Sequence, residues 1–477
     1  MRVRPNLVLA ICCSSILIVS LDATVMNVAL PSIRQDLGAR TSGLQWVIDA
    51  YTLVVASLLM LSGSLADRFG RRRVFQLGMF LFTLASLLCS VAPNLPSLVA
   101  FRMLQGIGAS MLNPVAMSIV VNVITEPAAR ARAIGVWGAL LGVSMALGPL
   151  VGGGLLELSG WRAIFWLNLP IGLSAILLTQ RFVPESKADR ARRIDPVGQL
   201  LVITGLVSFT YAVIEGRHVG WSSPIIVGLF ALSLASAVGL LVYEPRQAEP
   251  LIDFRFFRSV PFASATVLAV VNFASFSGFL FLNALYLQEV RGIPPFWTGV
   301  YTMPLAVMQI VFAPIAGRLV GKVGPRPPLV ASGIAIAIGA LMLTRLDAQT
   351  PLPWLLAAYV IFGIGVGLVN PPITNSAVSG MPRARAGLAS AIVSTSRQTG
   401  ASFGVAIAGA IVSGADHQHV SSAIAAHAFW WIVVGAGIGI SAIGALASSS
   451  WARASTASIA TLLADEPASG VAIVEAP

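Results

Sequence analysis

Fourteen stretches of about twenty mainly apolar residues run through this chain, and no other feature narrows its fold as far. They fall at about 7–28, 46–65, 74–92, 97–120, 134–156, 162–182, 197–214, 224–242, 263–287, 298–318, 329–345, 353–376, 386–412 and 428–447. Each is long enough to cross a bilayer as a helix, and a helix satisfies its own backbone in lipid. Charged residues make up 10% of the 477, against roughly 25% in a soluble domain. The fold class is therefore all-α integral membrane protein. The first apolar run is too long for a signal-peptide core and contains Asp22 and Asn27.

Fourteen crossings put both termini on one side. Of the 30 Lys and Arg residues, 22 fall on that side, 6 on the other, and Arg102 and Arg397 lie inside spans. This bias places both termini in the cytoplasm and the chain, multi-pass, in the cell's inner (plasma) membrane. The net charge of +11 thus belongs to short loops at an anionic leaflet, and no nucleic-acid partner is expected. Cys12, Cys13 and Cys89 all lie in apolar spans, so no disulfide framework is implied. His417 and His419 have no third ligand nearby, and no metal is expected. There is no phosphate-binding Gly-x4-Gly-Lys-Ser/Thr and no Ser/His/Asp set. The expectation is no cofactor and no enzyme.

The chain repeats itself. Gly106-Ile107-Gly108 followed by Asn113-Pro114 recurs as Gly363-Ile364-Gly365 followed by Asn370-Pro371, at offset 257. Gly63 to Gly70 is echoed by Gly317 to Gly324, at offset 254. Helices 1–6 then match helices 9–14, with 7 and 8 inserted, a 6+2+6 plan. The expected divisions are a first half over 1–182, a linker with the inserted helices and an interfacial segment over 183–258, a second half over 259–447, and a disordered cytoplasmic tail over 448–477. Parallel repeats of this kind place a substrate site near the midplane between halves.

Several motifs then occur in order. Helix 1 carries Leu21-Asp22-Ala23-Thr24-Val25-Met26-Asn27. Loop 2–3 carries Gly63, Asp67, Arg68, Gly70, Arg71, Arg72 and Arg73. Helix 4 has Arg102, Gln105, Gly106 and Gly108, and Gly160-Trp161-Arg162 leads to Asn168 and Gly172. Helix 5 has Gly142, Gly148, Pro149, Gly152 and Gly153, where the proline predicts a bend and the glycines predict close helix approach. In this combination the chain resembles the fourteen-helix drug:H⁺ antiporter family of the major facilitator superfamily, over about 1–450. The resemblance implies a major facilitator fold and a proton-coupled antiporter. It would export lipophilic, cationic or aromatic drugs or antibiotics by alternating access. It makes the helix 5 motif an antiporter motif and the loop motif a gate.

Charges inside a bilayer are costly and mark function by default. Asp22, Asp49 and Arg102 are the candidates for proton coupling, since a carboxylate changes its proton affinity when burial or a nearby cation changes. The duplication sharpens this. Position 102 maps to Tyr359, Asp22 maps near Phe276 to Phe279 and Asp49 near Met303 to Ala306, so the second half has none of these charges at the matching places. Candidate substrate-binding residues are Asn27, Tyr51, Gln105, Asn272, Phe276, Asn283, Gln309, Asn370 and Arg397. The expected partners are a small-molecule substrate, protons and the lipid bilayer, and a monomer is expected. A dedicated exporter of one secreted metabolite, or another coupling ion, is the alternative.

Overall fold

The computed structural model describes residues 5–188, 194–247, 249–379, 386–418 and 422–447, with Met381, Ser449, Ala452 and 454–456. Arg2, Arg4, Arg190, Arg192, Arg193, Arg383, Arg385 and Arg453 of the charge count, His419, and nearly all of 448–477 lie outside the described residues.

A helix falls on each expected span. These are α1 (Pro5–Leu37), α2 (Thr41–Phe69), α3 (Arg71–Ser90), α4 (Leu95–Val123), α5 (Pro127–Ser159), α6 (Ala163–Phe182, broken by a turn at Leu167) and α7 (Pro196–Val219). They continue as α8 (Pro224–Tyr243), α9 (Val260–Leu285), α10 (Pro295–Val323), α11 (Arg326–Leu343), α12 (Leu352–Val378), α13 (Ala386–Gln418) and α14 (His427–Leu446). Twelve are long and apolar enough to cross a membrane, 13 when α5 counts as one bent span. The expected fourteen adds α13, a helix of 33 residues. α5 bends by 41° between Arg132–Ser144 and Leu147–Ser159. Pro149 has no N–H to give the Met145 carbonyl and its ring presses on it, so the break falls where the proline demands.

The packing repeats. α1 lies against α4, α5 and α6, as α9 lies against α12, α13 and α14. α3 lies against α4 and α6, as α11 lies against α12 and α14; α2 meets α4, as α10 meets α12. The two groups join through α2 with α13 and through α5 with α10. The repeated Gly-Ile-Gly explains part of this. A Cβ on Gly106 would stand 2.8 Å from the Tyr51 carbonyl of α2, and one on Gly108 would stand 2.5 Å from the Phe82 nitrogen of α3. At Gly363 and Gly365 the same atoms would meet the Leu305 carbonyl of α10 at 2.5 Å and the Ile336 nitrogen of α11 at 2.8 Å. Positions 51 and 305, and 82 and 336, are both related by the offset 254 seen in the sequence. Backbones can approach this closely only where no side chain intervenes.

α7 and α8 pack on each other, and α7 also touches α2 and α13. Gln199 of α7 donates to the Ser57 carbonyl of α2 at 2.6 Å, and Trp46 of α2 donates to Glu215 of α7 at 3.1 Å. Phe209 of α7 lies 4.6 Å from Phe403 of α13, centroid to centroid. The inserted pair therefore covers the α2–α13 seam.

Candidate functional site

The first group of helices closes around a buried polar network. Asp22 on α1 is 2% exposed and Arg102 on α4 is 1% exposed. Arg102 Nη1 donates to Asp22 Oδ2 at 2.5 Å and to Gln105 Oε1 at 2.6 Å. Gln105 Nε2 donates to Asp22 Oδ1 and to Ser86 Oγ of α3, each at 2.9 Å. Asn168 Nδ2 of α6 donates to the same two oxygens at 3.1 Å. Arg102 Nε donates to the Val47 carbonyl of α2 at 3.1 Å, and the guanidinium lies 4.3 Å from the centroid of the Tyr51 ring. Five helices thus contribute to one network, and α4 and α6 reach the carboxylate itself. The charges cancel and the carboxylate oxygens are filled, the condition under which a buried ion pair is tolerated.

Asp49 is placed differently. It lies on α2 facing α13, fully buried. Oδ1 accepts from Thr52 Oγ1 at 3.3 Å, Ser402 of α13 stands beside the carboxyl, and Oδ2 has no partner among the described residues. The seam is tight one turn away. Gln45 Nε2 donates to the Ala406 carbonyl at 2.8 Å, and a Cβ on Gly409 would stand 2.2 Å from Gln45 Cδ. Asp49 is therefore an unpaired acid at a contact between the two helix groups, whereas Asp22 is enclosed within one of them.

The loop motif has a partner the sequence did not reveal. Asp67 accepts from Arg71 Nη2 at 3.0 Å. Glu185, in the segment after α6, accepts from the Arg72 backbone N–H at 3.0 Å, and Arg72 and Arg73 stand 3.8 and 3.7 Å from it. Gly70 joins α2 to α3 with φ +109°, and a Cβ there would stand 2.6 Å from Glu185 Oε1. The position needs glycine for its backbone and for its neighbour. Gly63 has nothing within 4 Å of a Cβ built on it, so close packing at this motif rests on Gly70.

The glycines of α5 face two ways. A Cβ on Gly148 would stand 1.8 Å from Thr24 Oγ1, and one on Gly152 would stand 2.7 Å from Val25 Cγ1, both on α1. A Cβ on Gly153 would stand 2.4 Å from the Pro295 carbonyl of α10, and one on Gly142 would stand 3.3 Å from Ile310. α5 is thus wedged between α1 and α10. At the same end of the bundle, opposite the start of α1, three bonds cross between the groups. Arg34 pairs with Glu289 at 2.9 Å, Gln288 Nε2 donates to the Val28 carbonyl at 2.8 Å, and the Phe296 N–H donates to Glu157 at 3.0 Å.

The expected substrate residues separate into two sets. Gln105 uses both ends of its amide in the network, Tyr51 lies beneath Arg102 though its hydroxyl has no partner among the described residues, and Asn283 donates to Thr302 at 3.1 Å and accepts from Tyr359. Asn27 Oδ1, Gln309 Nε2, Asn370 Oδ1, Arg397 Nε and both side-chain atoms of Asn272 find no partner among the described residues. Phe276 is buried. Buried polar atoms are normally satisfied by the protein, so these call for an explanation. Ser86, Asn168, Glu185 and Ser402 were not singled out as site residues. Asn168 was in view within the Gly160–Gly172 motif, but Ser86 is a small polar residue in an apolar run and carries no signal of its own. Among the described residues no group of three His, Cys, Asp or Glu stands close enough to hold a metal.

Comparisons with known proteins agree with this geometry. A family model, the Major Facilitator Superfamily, matches residues 12–405. The multidrug resistance protein Stp of Mycobacterium tuberculosis is 37% identical over 396 residues, 82% of this chain and 73% of that protein. The puromycin resistance protein pur8 of Streptomyces alboniger is 38% identical over 410 residues, 85% of this chain and 81% of that one. The crystal structure of a D-xylose–proton symporter shares the fold, with a TM-score of 0.67 at 16% identity, over 92% of this chain and 97% of that one. With the duplicated packing and the motifs in place, the chain belongs to the Major Facilitator Superfamily and is a multi-span membrane transporter, not an enzyme.

Proposed function

We propose that this protein is a proton-coupled antiporter that exports lipophilic drugs or antibiotics, cationic or aromatic, across the inner membrane by alternating access. The observation that carries the coupling is Asp49, a fully buried acid with an unpartnered oxygen, at the seam between helix groups. An unpaired carboxylate is costly inside a membrane protein, whereas the neutral acid is not. A rearrangement of the α2–α13 seam alters that burial, so proton occupancy and conformation are linked. Asp22 and Arg102 supply a second, enclosed charge pair within a network drawn from five helices. Export as the direction, and drugs or antibiotics as the cargo, rest on the similarity to Stp and pur8.

On this reading the chain works as two six-helix halves, 1–182 and 259–447, with 183–258 inserted, fourteen crossings, both termini cytoplasmic, as a monomer. Gly148 and Gly152 seat α5 on α1, while Pro149 and Gly153 let α5 and α10 close one face. Asp67, Arg71, Arg72 and Glu185 tie the opposite side of the first half to its linker. Dedicated export of one metabolite for self-resistance is a second reading, favoured by the similarity to pur8.

The test uses acidified inside-out vesicles loaded with a pH dye and challenged with lipophilic cations and neutral aromatics. Wild type is expected to release protons on compound addition, and Asp49→Asn and Asp22→Asn are expected not to. Release undiminished in both variants would remove the carboxylates from the coupling; no release with any compound would count against antiport.

A further inference from the structure

The membrane-spanning helices carry four charged side chains well away from their ends: Asp22, Asp49, Arg102 and Arg397. Asp22 and Arg102 neutralise each other, and Asp49 is buried against α13. Arg397 is left. It lies on α13, and no carboxylate among the described residues pairs with it. Its Nη2 donates to Thr374 Oγ1 of α12 at 2.6 Å, its Nε has no acceptor, and the guanidinium lies 5.8 Å from the centroid of the Phe273 ring of α9. Thr374 is exposed, and one turn before it Asn370 holds an unpartnered Oδ1. Charged groups at this depth face the bundle interior or a water-filled cavity and not lipid.

We propose that Arg397 is the anchor for an acidic group on the substrate, so that the compounds carried are lipophilic aromatic acids bearing a carboxylate, sulfonate or acidic phenol. The proposal rests on the transport reading above and selects, within it, aromatic acids over cations. An arginine binds such oxygens through a planar fork of N–H donors, and here the fork has donors to spare. Phe273 supplies an aromatic surface beside it. A cationic compound would meet a like charge that no carboxylate among the described residues pairs with. The guanidinium's hydrogen bond to Thr374 leaves the charge without a counter-ion among the described residues, in a span where an uncompensated charge is costly.

The experiment compares two probes with the same ring and opposite permanent charge, 1-naphthalenesulfonate and (1-naphthylmethyl)trimethylammonium. Binding to the purified full-length protein in detergent is measured by calorimetry for wild type, Arg397→Ala and Arg397→Lys, with thermal melting to confirm that each variant is folded. Wild type is expected to bind the sulfonate more tightly than the ammonium. Arg397→Ala should weaken sulfonate binding about tenfold or more, and Arg397→Lys should lie between, since it keeps the charge but loses the fork. The assignment is overturned by ammonium binding more tightly to wild type, by sulfonate affinity equal in wild type and Arg397→Ala, or by no sulfonate binding. Proton release from vesicles is a separate readout, so antiport stands or falls independently of which charge is preferred.

Discussion

Asp22, Ser86, Arg102, Gln105 and Asn168 join four helices of the first half through charge and hydrogen bonds. The corresponding places in the second half are Phe279, Ala340, Tyr359, Phe362 and Trp430, the offsets being those of the internal repeat for the first four. There Phe279 stacks on Phe362 at 4.9 Å and meets Tyr359 and Trp430 edge-on at 5.3 and 5.7 Å. The same helix pairs are held in both halves, by a polar knot in one and an aromatic cluster in the other. Packing alone therefore does not require the charges. Apolar replacements of a buried ion pair are often neutral or stabilising, so stability alone gives no reason for a polar knot in one half, and the coupling role proposed above supplies one.

The comparison breaks most visibly at Arg102. Arg102→Ala leaves Asp22 buried and unpaired, at a cost of about 3–5 kcal/mol, and should lower the thermal midpoint in detergent steeply. A small shift would mean that the knot contributes no more than the aromatic cluster does. The triple variant Asp22→Phe, Arg102→Tyr and Gln105→Phe imports the second-half solution. It should recover more than half of that loss in the same melting assay, while compound-driven proton release stays absent. Recovery of both would show that the charges have no part in coupling.

Phe279→Ala opens a cavity at the centre of the aromatic cluster. The expected loss is smaller, about 2 kcal/mol, since lipid supplies no hydrophobic drive and only packing is forfeited. Gly148→Ala and Gly63→Ala separate close approach from helix preference. The first should destabilise and impair transport, because its Cβ would meet Thr24 Oγ1 at 1.8 Å; the second meets nothing within 4 Å and should be neutral or slightly stabilising. Asp49→Asn is expected to change stability least, by less than about 1 kcal/mol, because the neutral acid and the amide share a shape and there is no cation partner to lose. Its effect should appear in proton release, and a large loss of stability would instead make Asp49 structural.

Much of the architecture was legible in the sequence. Apolar length marks each helix, since the bilayer sets the same minimum for all of them. Pro149 marked the bend of α5, and two Gly-Ile-Gly runs at one offset marked the duplication that the packing repeats. These are properties of single segments, and a bilayer reads segments one at a time. The Asp22–Arg102 pair was within reach of the sequence, as opposite charges in two spans of one half, and Asn168 lay in a motif; Ser86, which joins Gln105 to Asn168, was not legible, being unremarkable within its helix. Glu185 likewise joins the loop motif only through the path of the linker after α6. Asp49 sits eight residues into α2, and nothing local distinguishes a residue in interfacial water from one sealed against α13. Which charge is matched and which is left unpaired depends on which helices lie side by side, and that was decided only by the tertiary structure.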